Sequence, residues 1–188
     1  MNVNYENAPT TLLNDFWPQS SKGSWVRSIT LAFIGTLLLT LCAKIQLPIG
    51  PVPITLQTFG VLLIGSLCGW RLAGGTILLY LAEGMMGLPV FAGSVAGPAY
   101  FAGPTAGFLL GFVLAALVVG GLSERGWGRN PATMFFALLI GNIVLYLPGL
   151  LWLQTFTGWS NLLQVGLTPF LFGDALKSAI DVINQSYK

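Results

Sequence analysis

Long apolar segments, separated by short polar or glycine- and proline-rich segments, run through most of the sequence. An α-helix needs about 20 mainly apolar residues to cross the ~30 Å hydrocarbon core of a bilayer. The pattern predicts an all-α integral membrane protein in which a polar N-terminal segment, residues 1–24, precedes one membrane domain, residues 25–188. Its six transmembrane helices are predicted at 25–46, 56–69, 72–86, 105–122, 132–156 and about 169–184.

The second and third apolar segments are shorter than a full crossing. As helices they would be only ~21–23 Å long at 1.5 Å per residue. Both adjoin loops rich in glycine and proline, at 47–55 and 87–104. Short or interrupted membrane helices are typical of the substrate sites of transporters. The sequence therefore predicts a ligand site at the end of the bundle where these loops lie.

Basic residues predict the orientation of the chain, because the cytoplasmic loops of membrane proteins carry an excess of Lys and Arg. One side of the predicted bundle has Lys44 alone. The other side has Lys22, Arg27, Arg71, Arg125, Arg129 and Lys188. We therefore expect both termini in the cytoplasm and the loops 47–55, 87–103 and 157–168 on the outer side.

Composition supports a membrane protein and excludes several kinds of chemistry. Only 7% of the 188 residues are charged and 54% are apolar, whereas soluble domains have about 25% charged residues. The chain has no histidine, the commonest general base and metal ligand, so we expect no catalytic triad and no metal site. It also lacks the Gly-x-x-x-x-Gly-Lys-Ser/Thr loop that holds nucleotide phosphates. Any ATP hydrolysis must then belong to another chain, and we expect a lipid bilayer but no nucleic acid as a partner.

Asp174 and Lys177 are a charged pair inside the last apolar segment. Ionisable residues are costly in hydrocarbon and usually face a cavity, a partner or a pathway. Three residues apart on a helix, they lie on one face and can neutralise each other. We interpret them as ligand-binding residues. The alternatives are a salt bridge that only fixes helix packing, or the acid–base pair of an intramembrane enzyme.

The other candidate ligand contacts are aromatic and neutral polar residues near the predicted outer loops. Ligand pockets are mostly apolar with a few placed polar groups. An aromatic interfacial belt and hydrogen bonding between helices explain such residues equally well. The candidates are Gln57, Phe91, Tyr100, Thr105, Asn142 and Tyr146.

Two further features lie on or near the first helix. Ser28, Ala32 and Thr36 recur every four residues and form a small-residue stripe, which allows close approach either of a partner subunit or of another helix of the fold. Lys44 and Glu83 lie near the outer ends of the first and third segments. We expect these two to extend towards the interface or to pair with each other.

Five motifs, taken in order, resemble those of the BioY family, the biotin-binding S components of energy-coupling factor (ECF) transporters. The resemblance covers about residues 25–179. The motifs are Pro51-Val52-Pro53-Ile54-Thr55-Leu56-Gln57-Thr58, Gly87-Leu88-Pro89-Val90-Phe91, Gly103-Pro104-Thr105-Ala106-Gly107-Phe108, Gly141-Asn142 with Tyr146, and Gly173-Asp174 with Lys177.

The resemblance implies a six-helix S-component fold in a bacterial-type inner membrane. It implies capture of biotin at the outer side and partnership with a transmembrane coupling protein and two ATPase subunits. The chain would be neither an enzyme nor the carrier of a cofactor. An S component for another small vitamin is the alternative within the same class.

The resemblance also implies roles for individual residues. Asp174 would accept the ureido N–H groups of biotin, and Lys177 would bind the valerate carboxylate. Some members have an arginine where Pro104 stands and an asparagine near the position of Gly93. The docking stripe of the first helix is usually based on alanine, and here it reads Ser28-Ala32-Thr36.

Overall fold

The computed structural model describes residues 24–47 and 51–159, and this part of the chain is mostly helical. Four of its helices are long and apolar enough to cross a membrane, and they span Trp25–Lys44, Gln57–Met85, Ala106–Glu124 and Pro131–Thr157. The sixth predicted helix lies outside the described residues. The elements are α1 (Ser24–Lys44), β1 (Gln46–Leu47), β2 (Ile54–Thr55), α2 (Gln57–Met85), α3 (Pro98–Phe101), α4 (Ala106–Glu124), a 3₁₀ helix (Trp127–Arg129) and α5 (Pro131–Thr157).

Helix α2 is a hairpin rather than one straight helix. Gly69 has φ 75° and ψ 167°, which is not helical, and glycine adopts a positive φ without a steric penalty. Gln57 Nε2 donates a hydrogen bond to Tyr80 Oη at 2.8 Å, although these residues would be ~35 Å apart along a straight helix at 1.5 Å per residue. The chain therefore reverses at Gly69. This reversal confirms that the second and third predicted segments are separate, with a tighter turn than expected.

Helix α4 packs between the α2 hairpin and α5 through glycines. A Cβ at Gly111 would approach Leu145 O, on α5, more closely than real Cβ atoms do. A Cβ at Gly120 would meet the backbone of Gly69 and Trp70 at the hairpin turn in the same way. Small residues at such crossings allow backbones to approach closely, as is common between membrane helices. These contacts set the positions of the helix ends that surround the site.

We expect Gly111→Ala to destabilise the protein by about 1–3 kcal/mol, because the added methyl group meets backbone atoms that cannot rotate away. Gly121→Ala is the matched control on α4, since nothing lies within 4 Å of a Cβ there. Thermal unfolding in detergent measures both variants. Equal unfolding temperatures for Gly111→Ala and the parent would contradict this account of the α4–α5 contact.

Helix α1 lies on the outside of the hairpin and contacts both of its arms. Gly60, on the first arm, faces Leu39 of α1. Gly35 of α1 faces Thr76 on the second arm. The opposite face of α1 exposes apolar side chains that suit lipid contact. The most exposed of these are Trp25, Ile34, Leu37 and Leu41.

The small-residue stripe of α1 lies partly inside the fold. Thr36 is only 2% exposed, and its hydroxyl has two acceptors for its one proton, Phe33 O at 3.0 Å and Glu83 Oε1 at 3.2 Å. At Thr36 the stripe therefore packs within the fold, which is one of the two alternatives that the sequence left open. Ser28 and Ala32 are half-buried, and their docking role stays a prediction.

Candidate ligand-binding site

Two adjoining cavities lie at the end of the bundle where α1 and α5 end and α2 and α4 begin. The larger, the wide cavity, measures about 480 Å³, within the range of small-molecule sites. The smaller, the deep cavity, measures about 30 Å³. They share four lining residues, Pro53, Ala92, Tyr100 and Thr105, so we treat them as one site. The site lies among the glycine- and proline-rich loops, where the sequence predicts a ligand site.

The wide cavity is formed mainly by loop residues. The deep cavity extends from it between the helices. The other lining residues of the wide cavity are Gln46, Pro51, Gly93, Ser94, Val95, Ala99, Gly103 and Pro104. The other lining residues of the deep cavity are Val52, Thr55, Gln57, Thr58, Phe108, Leu109, Phe112 and Tyr146.

Gln57 belongs to a buried chain of hydrogen bonds at the wall of the deep cavity. Its Oε1 accepts a bond from Thr55 Oγ1 at 3.2 Å, and its Nε2 donates to Tyr80 Oη at 2.8 Å. The Tyr80 hydroxyl in turn donates to Val90 O at 2.8 Å. An amide has two N–H donors, so Gln57 can serve one ligand acceptor while it keeps its bond to Tyr80.

An aromatic cluster forms the wall that both cavities share. Tyr100 lines the two cavities and stacks on Phe91, with ring centroids 4.5 Å apart and planes at 22°. Phe91 is completely buried and contacts Tyr80 and Phe101 edge to face. Phe91 was a candidate ligand contact. The structure instead places it behind Tyr100, where it supports the wall.

The Tyr100 hydroxyl is a neutral hydrogen-bonding group. Burial raises its pKa above the usual value, and hydrogen bonds with Thr105 and with the Ala92 backbone lower the pKa in part. A tyrosine pKa at or above its ordinary value of about 10 leaves the phenol protonated at neutral pH. Tyr100 can thus both donate to and accept from a ligand.

Two helix N-termini lie at the cavities. Thr105 precedes the first residue of α4 and makes no capping hydrogen bond with its side chain. Gln57 is the first residue of α2. A helix N-terminus presents unpaired N–H groups and roughly half a positive charge. The arrangement favours a ligand with an anionic group.

Helix α5 contributes Tyr146 to the deep cavity, and the Tyr146 ring contacts Phe108 edge to face at 6.0 Å. Asn142 lies one helical turn away and lines neither cavity. Its Oδ1 is buried and has no hydrogen-bond partner among the described residues. Hydrogen bonding between helices and ligand contact both remain open predictions for Asn142.

Lys44 and Glu83 do not behave as an ion pair in the structure. Lys44 Nζ donates to Phe91 O at 2.9 Å and to Gly93 O at 3.4 Å. Glu83 Oε1 accepts the hydroxyl of Thr36. The lysine thus satisfies loop carbonyls instead of a carboxylate, which corrects the expectation that the two pair.

Several lining residues carry no polar side-chain signal that sequence reasoning could use. Pro53, Ala92, Gly93 and Pro104 belong to this group. Gly93 and Pro104, the two positions where the chain departs from some BioY proteins, both line the wide cavity. The position of these residues in the glycine- and proline-rich loops was the feature of the sequence that could have identified them.

Asp174 and Lys177, the charged pair of the last predicted helix, lie outside the described residues. Within residues 24–47 and 51–159, no group of three or more His, Cys, Asp or Glu side chains could hold a metal ion.

A sequence profile identifies the family of this chain. The profile of the BioY family matches residues 10–186. The chain belongs to the BioY family. The resemblance of the five motifs is thereby confirmed, and it extends over most of the sequence.

Relatives within the BioY family agree with this assignment. The chain is 38% identical over 159 residues to the biotin transporter BioY2 of Lactococcus lactis, with 83% of this chain and 86% of the relative covered. It is 36% identical over 157 residues to the probable biotin transporter BioY of Pyrococcus horikoshii, with 84% and 93% covered. These BioY proteins are transporters, which confirms the expectation that the chain is not an enzyme.

A solved structure has the same fold. The 2.1 Å crystal structure of the S-component for biotin from an ECF-type ABC transporter matches with a TM-score of 0.76 and 26% identity, covering 89% of this chain and 93% of that chain. The helical membrane architecture predicted from the sequence is therefore that of an S component. The BioY fold holds the two cavities at one end of the bundle.

Proposed function

We propose that this BioY protein is the biotin-binding subunit of an ECF transporter. The observation that carries the proposal is the cavity of about 480 Å³ among the loops, with its deep extension beside Gln57 and Tyr146. Biotin combines an apolar bicycle and chain with a cyclic urea and a carboxylate. Tyr100 offers an aromatic surface, Gln57 an amide, and the α2 and α4 N-termini a positive potential.

We assign the remaining polar contacts of biotin to Asp174 and Lys177. An ionised Asp174 accepts both ureido N–H groups, since a carboxylate has two acceptor oxygens. Lys177 forms a charge-assisted hydrogen bond with the valerate carboxylate. Position 104 is a proline in this chain, whereas some family members have an arginine there. We therefore assign the contacts of that arginine to Lys177 and to backbone N–H groups.

In the full proposal, the chain forms six transmembrane helices with both termini in the cytoplasm of a bacterial-type cell. The cavity then opens to the outer side, because the basic residues cluster at the opposite end of the bundle. Arg71 follows the hairpin turn, and Arg125 and Arg129 lie between α4 and α5. The chain delivers biotin to a transmembrane coupling protein and two ATPases, which supply the energy.

The decisive experiment identifies the ligand. The protein is purified without added vitamin and denatured, and the released small molecules are identified by mass. We expect unmodified biotin, and calorimetry on ligand-free protein should then give saturable binding of biotin. Release of a different vitamin would reassign the substrate, and conversion of the ligand to a product would favour an intramembrane enzyme.

The isolated chain should not accumulate biotin against a gradient in liposomes or hydrolyse ATP, because it has no phosphate-binding loop. Liposomes that also contain a coupling protein and its ATPases provide the positive control. ATP-driven accumulation by the chain alone would contradict the proposed division of labour.

A further inference from the structure

Residues 90–93 form a short segment, here called the strap, that crosses the end of the hairpin and contributes to the cavity wall. Ala92 lines both cavities and Gly93 lines the wide cavity. The strap also carries Phe91, the ring on which Tyr100 stacks. The position of the strap therefore determines the shape of the site.

Side chains from other elements hold the strap. Tyr80 Oη donates to Val90 O at 2.8 Å. Lys44 Nζ donates to Phe91 O at 2.9 Å and to Gly93 O at 3.4 Å. The Val90 N to Leu88 O bond is the one backbone–backbone hydrogen bond that the strap makes within the described chain. Side-chain donors thus supply most of its hydrogen bonds.

The chain around the strap can change direction easily. Three glycines in or beside it have positive φ: Gly87 at 93°, Gly93 at 77° and Gly97 at 78°. Phe91 anchors the strap because its side chain is completely buried, whereas Gly93 at the other end of the strap is exposed. Exposed backbone with few hydrogen bonds opens at low free-energy cost. The bonds from Lys44 are exposed or only partly buried, so they can break and form again without unfolding of the core.

Lys44 is absent from the lining of both cavities. Its influence on a ligand therefore passes through the strap. It is the last residue of α1, and its bond to Phe91 O joins residues 47 positions apart in the sequence. An ammonium group has three donors and no acceptor, so two carbonyls suit it well.

We propose that Lys44 is a positioning residue that holds the strap closed over the cavity and so sets the rate at which ligand leaves. This inference rests on the proposed biotin site. Removal of Lys44 Nζ leaves Phe91 O and Gly93 O without that donor. The Gly93 end of the strap opens more often while Phe91 stays buried, and bound ligand dissociates faster.

Lys44→Met tests this inference because methionine keeps an unbranched side chain but has no donor. We expect biotin to dissociate about tenfold faster, as the loss of a hydrogen bond from a charged donor implies. Biotinamide should dissociate faster by the same factor, since the strap does not act on the carboxylate. Stopped-flow mixing of the biotin-bound or biotinamide-bound protein with an excess of a fluorescent biotin analogue measures the two dissociation rates. Unchanged rates in a folded Lys44→Met protein would overturn the proposal.

Two controls separate positioning from other roles of the lysine. Lys44→Arg retains donors and should keep a dissociation rate within about threefold of the parent value. Arg125→Met removes an exposed positive charge at the opposite end of α4 and should change nothing. If Lys44→Met accelerates the release of biotin but not of biotinamide, the lysine acts on the carboxylate directly and the strap proposal fails.

Hydrogen exchange tests the strap without any ligand. Amides in residues 92–97 should exchange faster in Lys44→Met, while those in α4 keep parental rates. This result distinguishes the two proposals, because a parent protein that binds no biotin defeats the proposed function but leaves the exchange test valid. If Lys44→Met does not fold, Lys44→Leu, which also lacks a donor, takes its place, and parental exchange in its strap would overturn the inference.

Discussion

Gly84→Ala should weaken biotin binding about ten- to hundredfold, because it forces Phe91 against the cavity wall. A Cβ at Gly84 would overlap three atoms of the Phe91 ring. That ring is completely buried and stacks on Tyr100, so it can move only by displacing the wall. Overpacking of this kind costs about 1–3 kcal/mol, and 1.4 kcal/mol is about a factor of ten in affinity. Calorimetry measures the change.

The chain offers a matched control on the same arm of the hairpin. Nothing lies within 4 Å of a Cβ at Gly75, so Gly75→Ala should bind biotin with parental affinity. The double variant Gly84→Ala/Phe91→Val removes the overlapping ring. It should therefore bind no worse than Phe91→Val alone, which would demonstrate coupling between the two positions. Parental affinity in a folded Gly84→Ala protein would show that the aromatic wall does not determine binding.

Lys177→Ala should weaken the binding of biotin more than that of biotinamide or a biotin ester. Only the free acid needs a positive partner in the proposed site. A hydrogen bond to a charged group contributes about 1.5–3 kcal/mol, so we expect roughly a ten- to hundredfold loss of affinity for the acid. Calorimetry with both ligands measures the difference.

Lys44→Ala is the matched control for this experiment, since Lys44 is the other lysine that we place near the site. It should affect acid and amide equally, because it acts through the strap. Equal losses of acid and amide affinity in Lys177→Ala would remove Lys177 from the carboxylate. That result would favour the alternative in which Asp174 and Lys177 form a structural salt bridge.

The positions of the membrane helices could be predicted from hydropathy, because hydrocarbon accepts only long apolar helical segments. The structure has helices in the five predicted segments that lie among its described residues. The exact turn at Gly69 could not be predicted. A single residue, with φ 75°, reverses the direction of the chain. The sequence pattern indicated only that two separate apolar segments meet near this point.

The location of the site could also be predicted, since glycine- and proline-rich loops next to short helices mark a cavity. Of the six candidate contacts that the structure describes, Gln57, Tyr100, Thr105 and Tyr146 line it. Phe91 and Asn142 do not. An aromatic loop residue can either face the ligand or support the residue that does. Phe91 takes the supporting position because its ring packs against Gly84, which has no side chain, and Tyr100 is left to line the cavity.

The sequence by itself determined the membrane character of this protein, its helical segments, its family and the end of the bundle that holds the cavity. These properties follow from local composition and from motifs. The tertiary structure decided that Thr36 faces the interior, that Lys44 binds the strap instead of Glu83, and that Gln57 meets Tyr80. Lipid tails and protein interiors are both apolar, so hydropathy cannot tell which face of a membrane helix is buried. Only the packed arrangement of the helices brings distant polar groups within hydrogen-bonding distance.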